Sequence, residues 1–250
     1  MFWHLKSLGQ NFLVNESIAI DIVGFLDVFN ARDLVVEIGP GDGVLTKYLV
    51  KKYSNLYLVE LDARLVNVLR KRYPAISDRI MEADILSVNF SSCWNGQKIN
   101  FVTNLPYNIS GPFVFKLVEY RDVVRQAVCM LQKEVAERLV ANPNTKNYGI
   151  PSVLLQAYFD VRVLFDVSSD NFYPKPSVES TVIKITRNGI DKLDCDEHMF
   201  DKVVHTAFQQ RRKMIRNSLR QYGVIDCDLC RLRPEQMTVD DFVRITQIIS

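Results

Sequence analysis

Four consecutive residues, Asn104-Leu105-Pro106-Tyr107, combine two hydrogen-bond acceptors, a fixed backbone angle and an aromatic face. An amine conjugated to an aromatic base is a poor nucleophile because its lone pair is delocalised into the ring. Acceptors placed on its N–H groups return electron density to the nitrogen. Here they are the Asn104 side-chain oxygen and the Leu105 backbone carbonyl, whose direction Pro106 holds by fixing φ. Tyr107 gives such a base a face to stack on. Attack of this amine on a sulfonium methyl requires in-line approach and neither a metal nor a Ser/His/Asp arrangement. Orientation then supplies much of the rate, on the order of 7–11 kcal/mol in well-aligned cases. N-x-P-Y alone also reads as a Pro-Tyr turn capping a strand, so its weight comes from the residues before it.

The stretch VVEIGPGDG, Val35 to Gly43, is an apolar run ending in an acid and then glycines at every second position. A strand running into glycines and then a helix allows close backbone approach of a nucleotide cofactor; it also describes a tight turn that binds nothing. Gly39, Gly41 and Gly43 are spaced G-x-G-x-G, whereas the dinucleotide fingerprint is G-x-G-x-x-G. Glu60 ends the next apolar run roughly twenty residues on, where a carboxylate accepts from both hydroxyls of a ribose, or else sits on the surface. That acid suits NAD and S-adenosyl-L-methionine alike. Asp84, in EADIL, is placed to accept from the exocyclic amine of a cofactor adenine, or to cap a helix or close a turn. The amine chemistry of Asn104 to Tyr107 is what favours S-adenosyl-L-methionine. An NAD-dependent dehydrogenase leaves those four residues unexplained, and His4, His198 and His205 read as surface or packing residues.

These residues must be carried on elements that bring them to one edge. Asn15 is a candidate N-cap for a helix whose apolar positions Ile18, Ala19, Ile22, Val23 and Leu26 recur at helical spacing. Leu34–Ile38, Leu56–Glu60, Arg79–Asp84 and Ile99–Asn104 read as strands, the first two so apolar that both faces must be buried. Helical patterns lie between them, marked by Val44, Leu45, Tyr48 and Leu49 and by Leu65, Val66 and Leu69. This alternation implies a parallel sheet with helices on both faces. Val124–Leu131 reads as a further strand, Gln132–Ala141 as a helix, and Val161–Val167 and Thr181–Ile185 as late strands separated by the segment containing Pro174 and Pro176. After Arg187 comes a polar loop, Asn188–Glu197, and then only helical patterning. Two domains are expected, residues 1–187 and residues 188–250.

Hydrophobic residues at 48% and charged residues at 24% describe an ordinary globular chain rather than a disordered one. No apolar run of about 18 residues offers a membrane span. The N-terminus carries no apolar segment or cleavage site ahead of a motif that begins near Lys6, so a cytoplasmic protein without a membrane partner is expected. Five cysteines in such a chain are expected as reduced thiols. Cys227 and Cys230 form C-x-x-C with no second pair at zinc-ligand spacing, so no metal is expected. Net charge is only +2, yet the window His205–Tyr222 holds Arg211, Arg212, Lys213, Arg216 and Arg220 and no acid. Arg212, Arg216 and Arg220 at i, i+4 and i+8 would form one stripe of a helix, suited to phosphates or simply to solvent.

Taken together the motifs resemble the ribosomal RNA adenine N6,N6-dimethyltransferases of the KsgA type. The resemblance runs through Ser7–Leu13 (SLGQNFL), Glu37–Thr46 (EIGPGDGVLT), Val59–Asp62 (VELD), Ala83–Leu86 (ADIL) and Asn104–Ser110 (NLPYNIS). It continues through Met130–Gly149, Phe172–Ser180 (FYPKPSVES) and Arg211–Leu219 (RRKMIRNSL). It implies an α/β, Rossmann-like class I methyltransferase with a seven-stranded, mostly parallel sheet and a small C-terminal all-α domain. It further implies S-adenosyl-L-methionine bound by Asn11, Leu13, Gly39, Gly41, Glu60, Asp84 and Asn104. Asn104, Leu105, Pro106 and Tyr107 would form the catalytic loop, with Tyr107 and Phe172 sandwiching a flipped adenine. Phe172 before P-x-P also reads as core packing. Arg211, Arg212, Lys213, Arg216 and Arg220 would bind RNA. The implied substrate is a pair of adjacent adenines in a hairpin loop near the 3′ end of 16S rRNA, in an assembling 30S subunit, acted on by a monomer. The lead ahead of the first motif, Trp3-His4, is short for this family, so if upstream basic residues help hold RNA there, that contribution is expected to be reduced here. Two alternatives remain: an Erm-type methyltransferase of large-subunit rRNA, and an RNA-binding assembly factor whose methyl transfer is secondary.

Overall fold

In the computed structural model, which describes residues 11–28, 30, 32–223 and 228–249, the apolar runs become the strands of one large sheet. Trp3, His4, Ser7–Gln10 of the first motif and Cys227 of the C-x-x-C lie outside the described residues. In chain order the elements begin with β1 (Phe12–Leu13), α1 (Glu16–Gly24), β2 (Leu34–Ile38), α2 (Thr46–Lys52), β3 (Leu56–Glu60), α3 (Ala63–Arg72) and β4 (Ile80–Glu82). There follow α4 (Phe90–Cys93), β5 (Ile99–Asn104), α5 (Ser110–Glu119), β6 (Val124–Gln132), α6 (Lys133–Val140) and α7 (Ile150–Gln156). The remainder is β7 (Phe159–Val167), β8 (Phe172–Tyr173), β9 (Ser180–Arg187), α8 (Glu197–Gln209), α9 (Ile215–Ser218) and α10 (Val239–Ile249).

The seven-stranded sheet has the order β4-β3-β2-β5-β6-β9-β7. Strands β4, β3, β2, β5 and β6 pair in parallel and β9 pairs antiparallel with β6. Chain order runs outward from β2 to β4 and then returns to β5 on the other side of β2. The crevice at that reversal, outside the carboxyl ends of β2 and β5, is where such sheets hold ligands. All five residues of β2 are buried, as are Ile99 to Thr103 of β5, because helices cover both faces. The ends of these two strands are also tied side by side, since Thr103 Oγ1 donates to the Ile38 carbonyl at 2.9 Å. Asn15 caps α1 as expected, its side chain accepting from the Ser17 amide, and Ala19, Ile22 and Val23 of that helix are buried.

The chain packs into two units, Met1–Ala136 with Val161–Arg187, and Glu137–Asp160 with Asn188–Ser250. The expected division at residue 188 therefore needs correcting: Glu137–Asp160 belongs with the C-terminal residues. Aromatic packing explains why. Tyr148 meets Phe208 edge-on at 6.2 Å, and Phe208 stacks on Phe242 at 5.9 Å. The Tyr158 hydroxyl donates to Glu197 at 2.9 Å, and the Asn188 amide donates to the Tyr158 carbonyl at 3.2 Å. Beyond Arg187 none of the described residues lies in a strand.

The basic window is not one helix. Helix α8 ends at Gln209, Met214 is extended (φ −65°, ψ 152°), and α9 is a single turn followed by a 3₁₀ turn at Arg220–Tyr222. Burial of Ile215, Ser218 and Leu219 sets this path, so Arg212, Arg216 and Arg220 do not form a helical stripe.

Candidate active site

At the carboxyl ends of β2, β3 and β5 lies a cleft of about 270 Å³. Every residue expected to bind the cofactor lines it: Asn11, Leu13, Gly39, Gly41, Glu60, Asp84 and Asn104, together with Leu105, Pro106 and Tyr107. The glycine loop enters directly from β2, its first amide donating to the Val59 carbonyl at 2.9 Å. Gly39, Gly41 and Gly43 all have left-handed φ, of 60°, 59° and 88°, so the backbone path already demands glycine. At Gly41 a second cause adds to the first, because a Cβ there would lie 3.0 Å from the Phe12 ring. Phe12 itself lines the cleft.

Glu60 ends β3 with 6% of its surface exposed, and its two oxygens accept from the amides of Gly41 (3.1 Å) and Asp62 (2.9 Å). A carboxylate has about four lone-pair positions, so Glu60 can accept further hydrogen bonds beyond these two. Asp84 closes a turn, its Oδ1 accepting from the Leu86 amide at 2.9 Å, and the residue also lines the cleft.

Asn104 closes β5. Its Nδ2 donates to the backbone carbonyl of Asn11 at 3.3 Å. A carbonyl partner requires the amide nitrogen on that side, which leaves Oδ1 as the acceptor for another group. Leu105 is pinned by its amide on the Met130 carbonyl (3.3 Å), and Pro106 (φ −54°, ψ 136°) starts the 3₁₀ turn Tyr107–Ile109. Tyr107 is half-buried, and its hydroxyl lies 3.1 Å from Ser180 Oγ.

Phe172 is not part of this cleft. The small antiparallel sheet pairs Leu13 with Phe172 and Phe12 with Tyr173. Phe172, 4% exposed, joins Leu13 in the apolar core, while Tyr173, on the alternate face, is 54% exposed. The core-packing reading of Phe172 is the one that applies.

Among the basic residues, Arg212, Lys213, Arg216 and Arg220 are exposed. Arg211 differs, because its guanidinium donates to the carbonyls of Thr145 (3.2 Å) and Lys146 (2.8 Å) and lies 3.8 Å from Glu235. It clamps the Thr145–Lys146 loop of its own unit.

Sequence reading missed three lining residues that matter chemically. Glu37 is 1% exposed inside β2; burial raises its carboxyl to about 8, against the lowering effect of the hydrogen bond from Thr46 Oγ1 at 2.6 Å. Its signal was an acid inside an otherwise apolar buried strand. Leu61 and Ile85 each follow an acid that ends a strand or turn and line the cleft beside it. Burial also raises Glu60 and Asp42 above the usual carboxylate range. The cleft thus holds four carboxyl groups, Glu37, Asp42, Glu60 and Asp84, and among its described lining residues no lysine, arginine or histidine. This set of acceptors suits a cationic cofactor with a ribose and an adenine and opposes a pyrophosphate, which disfavours NAD.

The chain matches the profile of the ribosomal RNA adenine dimethylase family over residues 2–236. A Parabacteroides distasonis protein described as ribosomal RNA small subunit methyltransferase A is 46% identical over 248 residues, covering 97% of this chain and 92% of that one. The crystal structure of a dimethyladenosine transferase from Plasmodium falciparum superposes with a TM-score of 0.80 at 23% identity, covering 93% of this chain and 95% of the other. That of the 23S rRNA methyltransferase ErmE gives 0.71 at 22%, covering 94% and 99%. At these two identities the likeness speaks to the fold, a class I methyltransferase fold.

Proposed function

Since the chain belongs to the ribosomal RNA adenine dimethylase family, we propose a residue-level account of how it methylates its substrate. The enzyme transfers methyl groups from S-adenosyl-L-methionine to adenine N6 in small-subunit ribosomal RNA, giving N6,N6-dimethyladenosine. When bound, the cofactor supplies a methyl group made electrophilic by its sulfonium.

Glu60 accepts from the cofactor ribose hydroxyls with the lone pairs its two backbone amides leave, and Asp84 accepts from the cofactor adenine amine between the apolar walls Leu61 and Ile85. The acids of the cleft balance the cofactor's positive charge. Asn104 Oδ1 and the Leu105 carbonyl take the two N–H groups of the target amine, so the nitrogen lone pair is freed and aimed at the methyl. Tyr107 stacks on the target base. As the N–C bond forms and the S–CH3 bond breaks, the nitrogen gives up one proton to water, so after the first transfer one N–H remains and one of the two acceptors suffices to hold it. Exposed Arg212, Lys213, Arg216 and Arg220 contact RNA phosphates. As the family resemblance implies, the target adenines are two neighbours in a hairpin loop near the 3′ end of 16S rRNA, and an unpaired loop base is the kind extruded at least cost. The enzyme meets them as a monomer on the assembling 30S subunit in the cytoplasm.

The observation that carries this account is the Asn104 amide, held by the Asn11 carbonyl so that its oxygen is the acceptor left beside an acid-lined cleft. Asn104→Ala is expected to lower kcat for labelled-methyl transfer to small subunits by about 10²–10³-fold, the scale for removing one oriented hydrogen-bonding group, with an unchanged melting temperature. Full activity in that variant would overturn the account.

A further inference from the structure

The ring that serves as the base platform is held at its far end by a residue outside the catalytic loop. The Tyr107 hydroxyl and Ser180 Oγ share a hydrogen bond at 3.1 Å. Ser180 is 1% exposed and begins β9, paired with Gln132 of β6. Its neighbours on both sides are anchored. The Lys133 amide donates to the Glu179 carbonyl at 3.0 Å, and the Lys133 ammonium bridges Glu179 at 3.1 Å and Asp166 of β7 at 2.9 Å. Thr181 Oγ1 donates to the same Asp166 at 2.6 Å. The Ser180 hydroxyl is therefore a fixed point on the framework of the sheet.

The segment carrying Tyr107 is slighter. It is one 3₁₀ turn, closed by the Ile109 amide on the Pro106 carbonyl at 3.2 Å and by Ser110 Oγ on the same carbonyl at 3.4 Å. A half-buried ring on so short a turn has two side-chain torsions to settle. A hydrogen bond at its para position restrains the swing of the ring.

We propose that Ser180 is a positioning residue for methyl transfer, acting through the Tyr107 phenol to hold the ring face at the angle the target base must meet. The proposal rests on the reading of Tyr107 as the base platform. It explains why tyrosine serves here: phenylalanine offers the same face without the tether. The pair also couples the catalytic loop to β9, so the platform keeps its angle when the base gains its first methyl and returns for the second.

The test uses the full-length enzyme with small ribosomal subunits, and with an RNA hairpin carrying 2-aminopurine at the target adenine. Ser180→Ala and Tyr107→Phe are each expected to lower kcat by about tenfold, with the KM for S-adenosyl-L-methionine unchanged. Quenching of 2-aminopurine fluorescence, which reports stacking without turnover, is expected to weaken equally in both. The double variant should be no worse than either single one, the signature of one shared interaction. Ser180→Thr, which keeps the hydroxyl, should recover most of the rate and the quenching. Should Ser180→Ala fail to fold, Tyr107→Phe carries the same test without touching the sheet. Wild-type kcat and quenching in both Tyr107→Phe and Ser180→Ala, with Tyr107→Ala inactive, would overturn the role of Ser180 and leave the platform standing. Full activity in Tyr107→Ala would instead remove the platform, and the positioning role with it.

Discussion

Glu37 shows how one buried acid links the cleft to pH. It is the fourth of the five residues of β2, where every neighbour along the strand is apolar, and burial raises its carboxyl to about 8 while Thr46 pulls the other way. The unfolded chain releases that proton near the ordinary carboxylate value, about 4.5, whereas the folded, cofactor-free chain keeps it until about 8. The folded state thus binds more protons across this window, so its stability is fully present below the lower value and is lost as pH rises to the upper. Glu60 and Asp42, also raised by burial, act in the same sense. Asp166 is held below its ordinary range by the Thr181 and Lys133 hydrogen bonds and so acts only in more acid solution. The cofactor-free enzyme is therefore expected to melt several degrees lower at pH 8.5 than at pH 6, and Glu37→Gln, which still accepts from Thr46, should flatten that difference. Calorimetric melts of both proteins would check it; a wild-type melting temperature that rises over this interval would contradict it. Bound cationic cofactor favours the ionised carboxyls, so affinity should strengthen over the same interval.

The glycine loop belongs to the element scale, because its residues are dictated by the path from β2 to α2. Gly39 and Gly41 have nearly the same φ, but a Cβ at Gly39 meets its nearest atoms at 3.9 Å whereas one at Gly41 meets the Phe12 ring at 3.0 Å. Both alanine variants carry the left-handed strain of about 1–2 kcal/mol. Gly41→Ala should cost more because Phe12 must move, and it should also weaken cofactor binding, since the Gly41 amide steadies Glu60. Urea midpoints and calorimetric titration with S-adenosyl-L-methionine measure the two effects; equal loss of stability at both sites would rule out the Phe12 contact as the cause. Strands β2, β3 and β5 were legible to the residue, β2 and β3 because a strand buried on both faces is a nearly continuous apolar run. Gly39, Glu60 and Asn104 could be placed at the cleft from sequence because they stand at or next to the ends of such strands, whereas Asn11 and Leu13 came only from the family resemblance. The two-residue strands β1 and β8 are too short to show a period, so nothing in the sequence revealed that their pairing puts Phe172 in the core and Tyr173 outside. The stripe of arginines misled because helical spacing was read without the extended Met214 that breaks it. Glu137–Asp160 misled because a helix following a strand looks like the next βα repeat, while the packing of Tyr148 on Phe208 is visible only in three dimensions.

Over the whole molecule the charges are unevenly placed, although their sum is only +2. The N-terminal unit gathers carboxyl groups in the cleft, and the C-terminal unit exposes Arg212, Lys213, Arg216 and Arg220. Arg211 lies beside them in sequence but satisfies the carbonyls of Thr145 and Lys146, so it should behave as a structural residue. Replacing Arg212 and Arg216 together by alanine is expected to weaken binding to small subunits and to reduce the slope of log affinity against log salt by about 1.4–1.8, the loss of two phosphate contacts. Arg211→Ala should leave that slope unchanged while lowering stability by about 1 kcal/mol, a value kept small because the side chain is partly exposed. Glu60→Ala completes the set: it should abolish binding of S-adenosyl-L-methionine and leave subunit binding at its wild-type level. Titrations of the three variants against purified small subunits over a range of potassium chloride separate these outcomes. If the slope falls with Arg211→Ala and not with the double variant, the assignment of the two kinds of arginine is reversed. If subunit maturation in cells survives Glu60→Ala but fails with Arg212→Ala plus Arg216→Ala, binding to the particle, rather than methyl transfer, is the activity that maturation requires.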